Sequence, residues 1–257
     1  MAPIQLSVVI ITFNEAGHIR RCLESVRSVA DEVIVLDSYS TDDTVMLAEQ
    51  AGARVYRQAF KGYGVQKNDA NRLAAHTWVL SLDADEVLTP ELAAEIQAFK
   101  NTVPPADAYA IPRLNNYLGK WLRHGGWYPD AKIRLFNRTK GSWKTLNVHG
   151  FWGPAASART GRLAHHMLHY TMATFGQQLR KIETYTELSA LHAVAQGKRI
   201  SLLKAVLVPH WTFFQRFILR LGFLDGYAGY LMCKMAAMEK WLKYHKIRKY
   251  SREKNGQ

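Results

Sequence analysis

The sequence predicts an α/β fold, with a mostly parallel sheet flanked by helices and a helical extension behind it. Three observations carry this expectation. Apolar runs of strand length alternate with segments of helical spacing through the N-terminal part of the chain. Those runs are almost continuously apolar, as strands buried on both faces are. Beyond Thr171 the chain reads as helices to its end.

Taken in order, Leu6 to Thr12 (LSVVIIT) is the first buried strand. Ile19, Cys22, Leu23, Val26 and Val29 then recur at helical spacing. Val33 to Asp37 is a second buried strand, and Ser40 is placed to cap the next helix, with Asp43 near its positive end. Ala53 to Arg57 gives a third short strand. A helical stretch from Gly64 to His76 leads into Trp78 to Leu82, the fourth strand. Pro90 opens another helix at a position that tolerates proline. Such βαβ units imply right-handed crossovers. From about Tyr109 the rhythm changes to strand-like pieces (AYAIP, KIRLF, LAHHMLHY) between loops rich in Gly, Trp, Arg and His. The chain thus divides into residues 1–105, 106–170 and a basic helical region 171–257.

The chain has 257 residues, 48% of them hydrophobic, which suits a folded α/β domain with a tail and excludes a disordered chain. A net charge of +13 favours anionic partners: nucleic acid, phosphorylated lipid or a nucleotide diphosphate. No nucleic-acid-binding motif is visible, so nucleic acid is not an expected partner, and a non-catalytic nucleic-acid binder is the distant alternative. Cys22 and Cys233 make no disulfide framework and carry no metal-ligand spacing, which points to a reducing compartment. No signal-like segment and no transmembrane-length apolar run is seen, so a cytoplasmic protein is expected.

Ligands of an open parallel sheet bind beyond the carboxyl ends of its strands. Thr12-Phe13-Asn14-Glu15 follows the first strand, Asp37 ends the second, and Asp83-Ala84-Asp85-Glu86 follows the fourth. These loops should converge on one rim. Asp83 and Asp85 form a D-x-D, a hard-oxygen pair suited to Mg²⁺ or Mn²⁺ that takes its other ligands from substrate phosphates. A divalent ion there would offset charge developing on a diphosphate leaving group. Asp37 is placed to accept hydrogen bonds from a uracil or ribose. A lone D-x-D is commonly a solvated turn; its place on alternate βα junctions with Asp37 argues for function. Neither G-x-G-x-x-G after the first strand nor G-x-x-x-x-G-K-[ST] is present, which disfavours dehydrogenase and P-loop readings. His165, His166 and His169 lack a Cys or acidic cluster and read as packing or surface histidines.

The segments SVVIITFNE, VIVLDSYSTDDT, KGYGVQKN and WVLSLDADE resemble family 2 glycosyltransferases of the GT-A fold, a Rossmann-like, mostly parallel architecture. RLNNYLGKWLRHGGWYPDAKIRLFNR, LHY and RLGFLDGYAGYL are similar to the bacterial lipopolysaccharide core enzymes that add β-glucose to the inner-core heptose. The resemblance covers nearly the whole chain. It implies an inverting transferase using UDP-glucose on lipopolysaccharide core, peripheral at the cytoplasmic face of the inner membrane; a polyprenyl phosphate or another envelope glycan is the alternative acceptor. Residues 1–170 would be the catalytic domain, with a nucleotide-sugar half and an acceptor half, and 171–257 the membrane-associating region.

Residue by residue, the resemblance implies that Thr12, Asn14 and Glu15 line the nucleotide pocket and that Asp37 contacts uridine. Lys67 would lie near the diphosphate or donor sugar. Asp83 would touch the donor and share the metal with Asp85. Arg123, His124, Trp127 and Tyr128 would meet the acceptor, with the aromatic pair as a stacking platform after a flexible Gly125-Gly126. Inverting transfer needs one base for the acceptor hydroxyl. Asp130 is the candidate; a simple turn after Pro129 is the competing reading. Related sequences often carry Val-His-Glu where Val148-His149 is followed here by Gly150, and His149 is the second candidate.

Overall fold

The computed structural model describes residues 2–146, 149–172 and 174–253, with the backbone alone at 145, 146 and 149. The elements run β1 (Leu6–Thr12), α1 (Ile19–Val26), β2 (Glu32–Asp37), α2 (Thr44–Gln50), β3 (Arg54–Arg57), α3 (Tyr63–Leu73), β4 (Trp78–Asp83), β5 (Glu86–Leu88), α4 (Pro90–Lys100), β6 (Ala108–Ile111), β7 (Arg113–Tyr117), β8 (Lys120–Leu122) and β9 (Lys132–Asn137). They continue with β10 (Gly141–Leu146), β11 (His149–Pro154), β12 (Thr160–Arg162), β13 (Met167–Met172), α5 (Phe175–Ala195), α6 (Leu202–Phe214) and α7 (Gly226–Glu253). The chain forms two compact units: residues 1–113 with 130–169, and residues 114–129 with 170–257. Residues 114–129, which lie within the expected acceptor half 106–170, group with the helices of the second unit.

The first unit is built on a seven-stranded sheet in the order β12-β6-β9-β4-β1-β2-β3. β9 runs antiparallel to β4 and β6; the other pairings are parallel. The apolar runs become strands because alternate residues feed two separate cores. Val8, Ile10, Val35, Leu80 and Leu82 join one core, covered by Ile19, Cys22 and Leu23 of α1 and Leu92, Ile96 and Phe99 of α4. Val9, Ile34, Leu36 and Val79 join the other, under Ala70 of α3 and Trp143 and Trp152 of the β10–β11 hairpin. Phe136 stacks on Trp152 with ring centroids 4.8 Å apart. Pro90 does open α4, behind Thr89, whose hydroxyl accepts from Leu92 N–H.

Ser40 does not cap α2. Asp43 precedes that helix without a side-chain cap, and Ser40 instead donates its hydroxyl to Asp37.

The second unit holds the β7–β8 hairpin, α5, α6 and α7. Tyr117 and Leu122 share a core with Met232 and Cys233 of α7. Ala190 and Ala193 of α5 pack with Ile247. Lys246 of α7 lies 2.7 Å from Glu183 and 3.0 Å from Glu187 of α5. Gly125 and Gly126 both have positive φ, and neither is loose: a Cβ at Gly125 would lie 2.5 Å from Met232 Cε, and one at Gly126 would run into the Arg220 side chain. The pair is a close-packing site rather than the flexible element expected.

Candidate active site

Parallel pairing levels the strand ends. Thr12 stands beside Asp37, and Ile11 beside Asp83, so the loops after β1, β2 and β4 leave the sheet at one height. Hydrogen bonds tie two of these loops together. Asn14 N–H donates to Ser40 Oγ at 2.8 Å, Glu15 N–H to Thr44 Oγ1 at 2.8 Å, and Thr41 N–H to Asn14 Oδ1 at 2.8 Å. Asn14 and Tyr39 adopt left-handed backbone, with φ of 54° and 64°. A left-handed tyrosine costs energy that the surrounding bonds must offset. Asp37 is fully buried and accepts from Ser40 N–H at 2.9 Å. The buried Thr12 Oγ1 makes no hydrogen bond.

At the end of β4 a buried ionic network replaces the solvated turn that a D-x-D often makes. Lys67 Nζ of α3 lies 2.7 Å from Asp83 Oδ1 and 4.4 Å over the Trp143 ring. Arg134 Nη2 lies 2.6 Å from Asp83 Oδ2 and 2.6 Å from Glu86 Oε1. Antiparallel pairing of β9 with β4, Leu80 beside Leu135, brings Arg134 to this position. Glu86 has no exposed side-chain surface and also holds Arg113, at 3.0 Å. Burial pushes the Asp83 carboxyl upward, but Lys67 and Arg134 overcome it and hold the group below the usual carboxylate range. Glu86 shows the same balance, with Arg134 and Arg113 against burial and Asp83. Lys67 is pushed down by burial and by Arg134, against the pull of Asp83. Two cations on its oxygens hold Asp83 ionised.

Asp85 differs from Asp83. Its Oδ1 is buried without a hydrogen bond, and its Oδ2 lies 3.4 Å from His169 Nε2. β13 pairs with β5, setting His169 beside Glu86. Among the described residues no lysine or arginine pairs with Asp85, whereas both oxygens of Asp83 face cations. His169 lies beside Asp85, whereas the sequence reads it as a packing or surface histidine. Among the described residues no cluster of three or more His, Cys, Asp or Glu groups is assembled for a metal. An ion here would draw further ligands from a bound phosphate.

Asp130 sits in the same unit, paired with Arg113 and, at 3.1 Å, with Lys132. Burial raises its pKa, Arg113 and Lys132 lower it, and the net direction is down. The side chain of His149 lies outside the described residues, as does Val148. Gly150 lets β11 approach α3: a Cβ there would be 3.3 Å from Tyr63 Cβ.

The four expected acceptor residues belong to the second unit. Arg123 and His124 donate their backbone N–H groups to Asp225 at 3.0 and 2.8 Å, and the His124 ring meets Asp225 at 2.9 Å. The Arg123 guanidinium lies 5.8 Å from the Tyr128 ring centre. Trp127 packs edge-on against Tyr117 at 5.9 Å. Sequence reasoning missed Arg134, Glu86 and Arg113. An arginine inside KIRLF reads as the outward side of a strand, and only its tertiary partners reveal it as buried.

Residues 7–165 match the model of the family described as "Glycosyl transferase family 2". An uncharacterized glycosyltransferase of Rickettsia felis is 32% identical, covering 95% of this chain and 89% of that one. The lipopolysaccharide core biosynthesis glycosyltransferase LpsC of Rhizobium meliloti is 30% identical, covering 94% and 91%. Among solved structures, a mannosyltransferase of Pyrobaculum calidifontis in complex with GDP-Man and Mn²⁺ superposes with a TM-score of 0.51 at 16% identity, over 99% of this chain and 89% of that one.

Proposed function

This chain belongs to glycosyl transferase family 2 and has the GT-A fold, and from that premise we propose that it transfers glucose from UDP-glucose, with inversion, to an inner-core heptose of lipopolysaccharide at the cytoplasmic face of the inner membrane. The observation that carries the donor side is Asp85, two residues beyond Asp83, with one carboxylate oxygen buried and unbonded and the other near His169. The name of the Rhizobium relative supports the lipopolysaccharide acceptor. The sugar nucleotide and Mn²⁺ in the Pyrobaculum complex support a nucleotide-sugar donor and a divalent ion.

In this reading Asp85 with His169 would hold Mg²⁺ or Mn²⁺, which would supply positive charge to offset that of the diphosphate leaving group. Asp37 and the Asn14–Glu15 loop take the uridine, together with Thr12, which stands beside Asp37 at the end of β1. Asp83, fixed by Lys67 and Arg134, orients ribose or sugar hydroxyls. The acceptor hydroxyl attacks the anomeric carbon opposite the diphosphate; Arg123, His124, Trp127 and Tyr128 are the residues proposed to bind the acceptor. The new C–O bond forms as the bond to UDP breaks, the electron pair leaves with UDP, and the hydroxyl proton passes to Asp130. His149 is the second candidate for that proton.

The test is a donor screen by UDP release with heptosylated core lipid as acceptor. Turnover with UDP-glucose and a β-linked product is expected. Turnover only with polyprenyl phosphate would move the acceptor to that class.

A further inference from the structure

From Leu188 to Leu224 the chain contains no Asp or Glu, yet it carries Lys198, Arg199, Lys204, Arg216 and Arg220. Within this stretch α6 is apolar around its whole circumference, which one buried flank does not explain. Its inner side is accounted for: Ala205 and Pro209 are buried, and Phe213 and Phe217 pack against the Met232–Cys233 core. Leu203, Leu207, Trp211, Phe214 and Ile218 recur every three or four residues along the other side, and all face outward. Leu203 is 68% exposed and Trp211 54%. The turn beyond adds Leu221, Phe223, Leu224 and Tyr227, the last 77% exposed. A contiguous exposed apolar face of this kind marks an interaction surface.

We infer that this flank of α6 and the following turn form the docking face for an anionic phospholipid bilayer; the inference rests on the reading that the acceptor is membrane-borne. Charge selects the occupant. Lys204 and Arg220 are exposed on this segment. The nearest acids along the chain are turned elsewhere: Asp225 is buried against Arg123 and His124, and Glu187 faces Lys246 and Tyr250. A second copy of a chain with net charge +13 would meet the same cations, whereas anionic head groups complement them. Trp211 and Tyr227 are residue types that favour the membrane–water boundary. The 13 residues of α6 span roughly 20 Å, short of the ~30 Å hydrocarbon layer. No described helix is long and apolar enough to cross a membrane. The helix therefore lies in the plane of the interface. The basic end of α7, the expected membrane contact, is partly occupied: Lys246 is held by α5, and Arg248 donates to the Ile200 carbonyl at 2.9 Å.

The experiment measures sedimentation of the full chain with vesicles of phosphatidylglycerol and phosphatidylethanolamine, comparing wild type with Leu203→Asp/Leu207→Asp. Both leucines are exposed, and thermal melting checks the variant's fold. Vesicle binding is expected to fall at least about tenfold. Brominated lipid should quench wild-type fluorescence, and Trp211→Phe should lose most of that quenching. Unchanged vesicle binding in the double variant overturns the inference. So does a wild type that ignores vesicles and self-associates through this face. Turnover of a water-soluble heptosylated core fragment is followed in parallel and should be equal in both proteins. If neither turns it over while vesicle binding behaves as expected, the acceptor reading fails and the docking face stands.

Discussion

His169 Nε2 lies 3.4 Å from Asp85 Oδ2, while Asp85 Oδ1 is buried and makes no hydrogen bond. A buried carboxylate oxygen without a partner is costly unless something binds it. We expect Asp85→Ala to nearly abolish UDP release and chelation of the wild type to do the same. His169→Ala should raise the Mn²⁺ concentration needed for half-maximal activity. Full activity in excess chelator rejects the metal at this rim.

Glu86 serves two arginines at once, Arg113 and Arg134, with no solvent to replace it. Removing one member of a buried ion pair typically costs about 3–5 kcal/mol, because the remaining charges stay buried. Glu86→Ala should therefore lower the melting temperature sharply, whereas Glu91→Ala, on an exposed helix start, should barely move it. A melting temperature close to wild type for Glu86→Ala contradicts the network.

If Asp130 takes the acceptor proton, Asp130→Asn should reduce turnover by about 10²–10⁴-fold with donor binding nearly unchanged. Loss of activity in His149→Ala with near-normal Asp130→Asn reassigns the base to His149.

The pH profile tests the same residue. A base works when deprotonated, and Arg113 and Lys132 hold the Asp130 carboxyl below its ordinary range. The acid limb of kcat/KM should accordingly lie below the usual carboxylate pKa. Lys132→Ala removes one of the two cations and should move that limb to higher pH. Lys132 is half exposed, and such pairs contribute about 0.2–1 kcal/mol. At about 1.36 kcal/mol per unit, the expected move is roughly a few tenths of a pH unit. An acid limb that stays fixed argues that Lys132 does not act on the titrating group.

Lys246 bridges α7 to Glu183 and Glu187, and Tyr250 donates to Glu187 at 2.7 Å. Charge reversal at Lys246 places three acids together and should destabilise the helical unit. Lys249→Glu, at an exposed position, should not. Equal melting curves for the two variants would count against the bridge.

The rim was legible because its chemistry is local: apolar runs end in Asp37 and Asp83, and parallel pairing levels whatever follows them. The β10–β11 hairpin was not, because glycines within its strands (Gly141, Gly150, Gly153) interrupt the alternation that marks a strand. Asp83 and Asp85 look equivalent in sequence. Their difference comes from Lys67 on α3 and Arg134 on β9, which only the folded sheet brings to one of them. Ser40 has a capping residue's composition and spacing, yet Asp37 offers its hydroxyl a nearer acceptor.

The interleaved course of the chain bears on its synthesis. Residues 114–129 are made well before α7, so Tyr117 and Leu122 find their core partners, Met232 and Cys233, only once α7 has been synthesised. Domains generally close as units, the N-terminal ones first. The first unit can therefore complete its sheet once residue 169 has left the ribosome, while Tyr117 and Leu122 of β7–β8 still wait for α7 to cover them. That interval, more than the finished structure, is when the nascent chain exposes Tyr117 and Leu122 to chaperones or to aggregation. Mutations at Gly125 that keep Met232 from seating would prolong it, lowering the yield of folded protein before they change what the enzyme does.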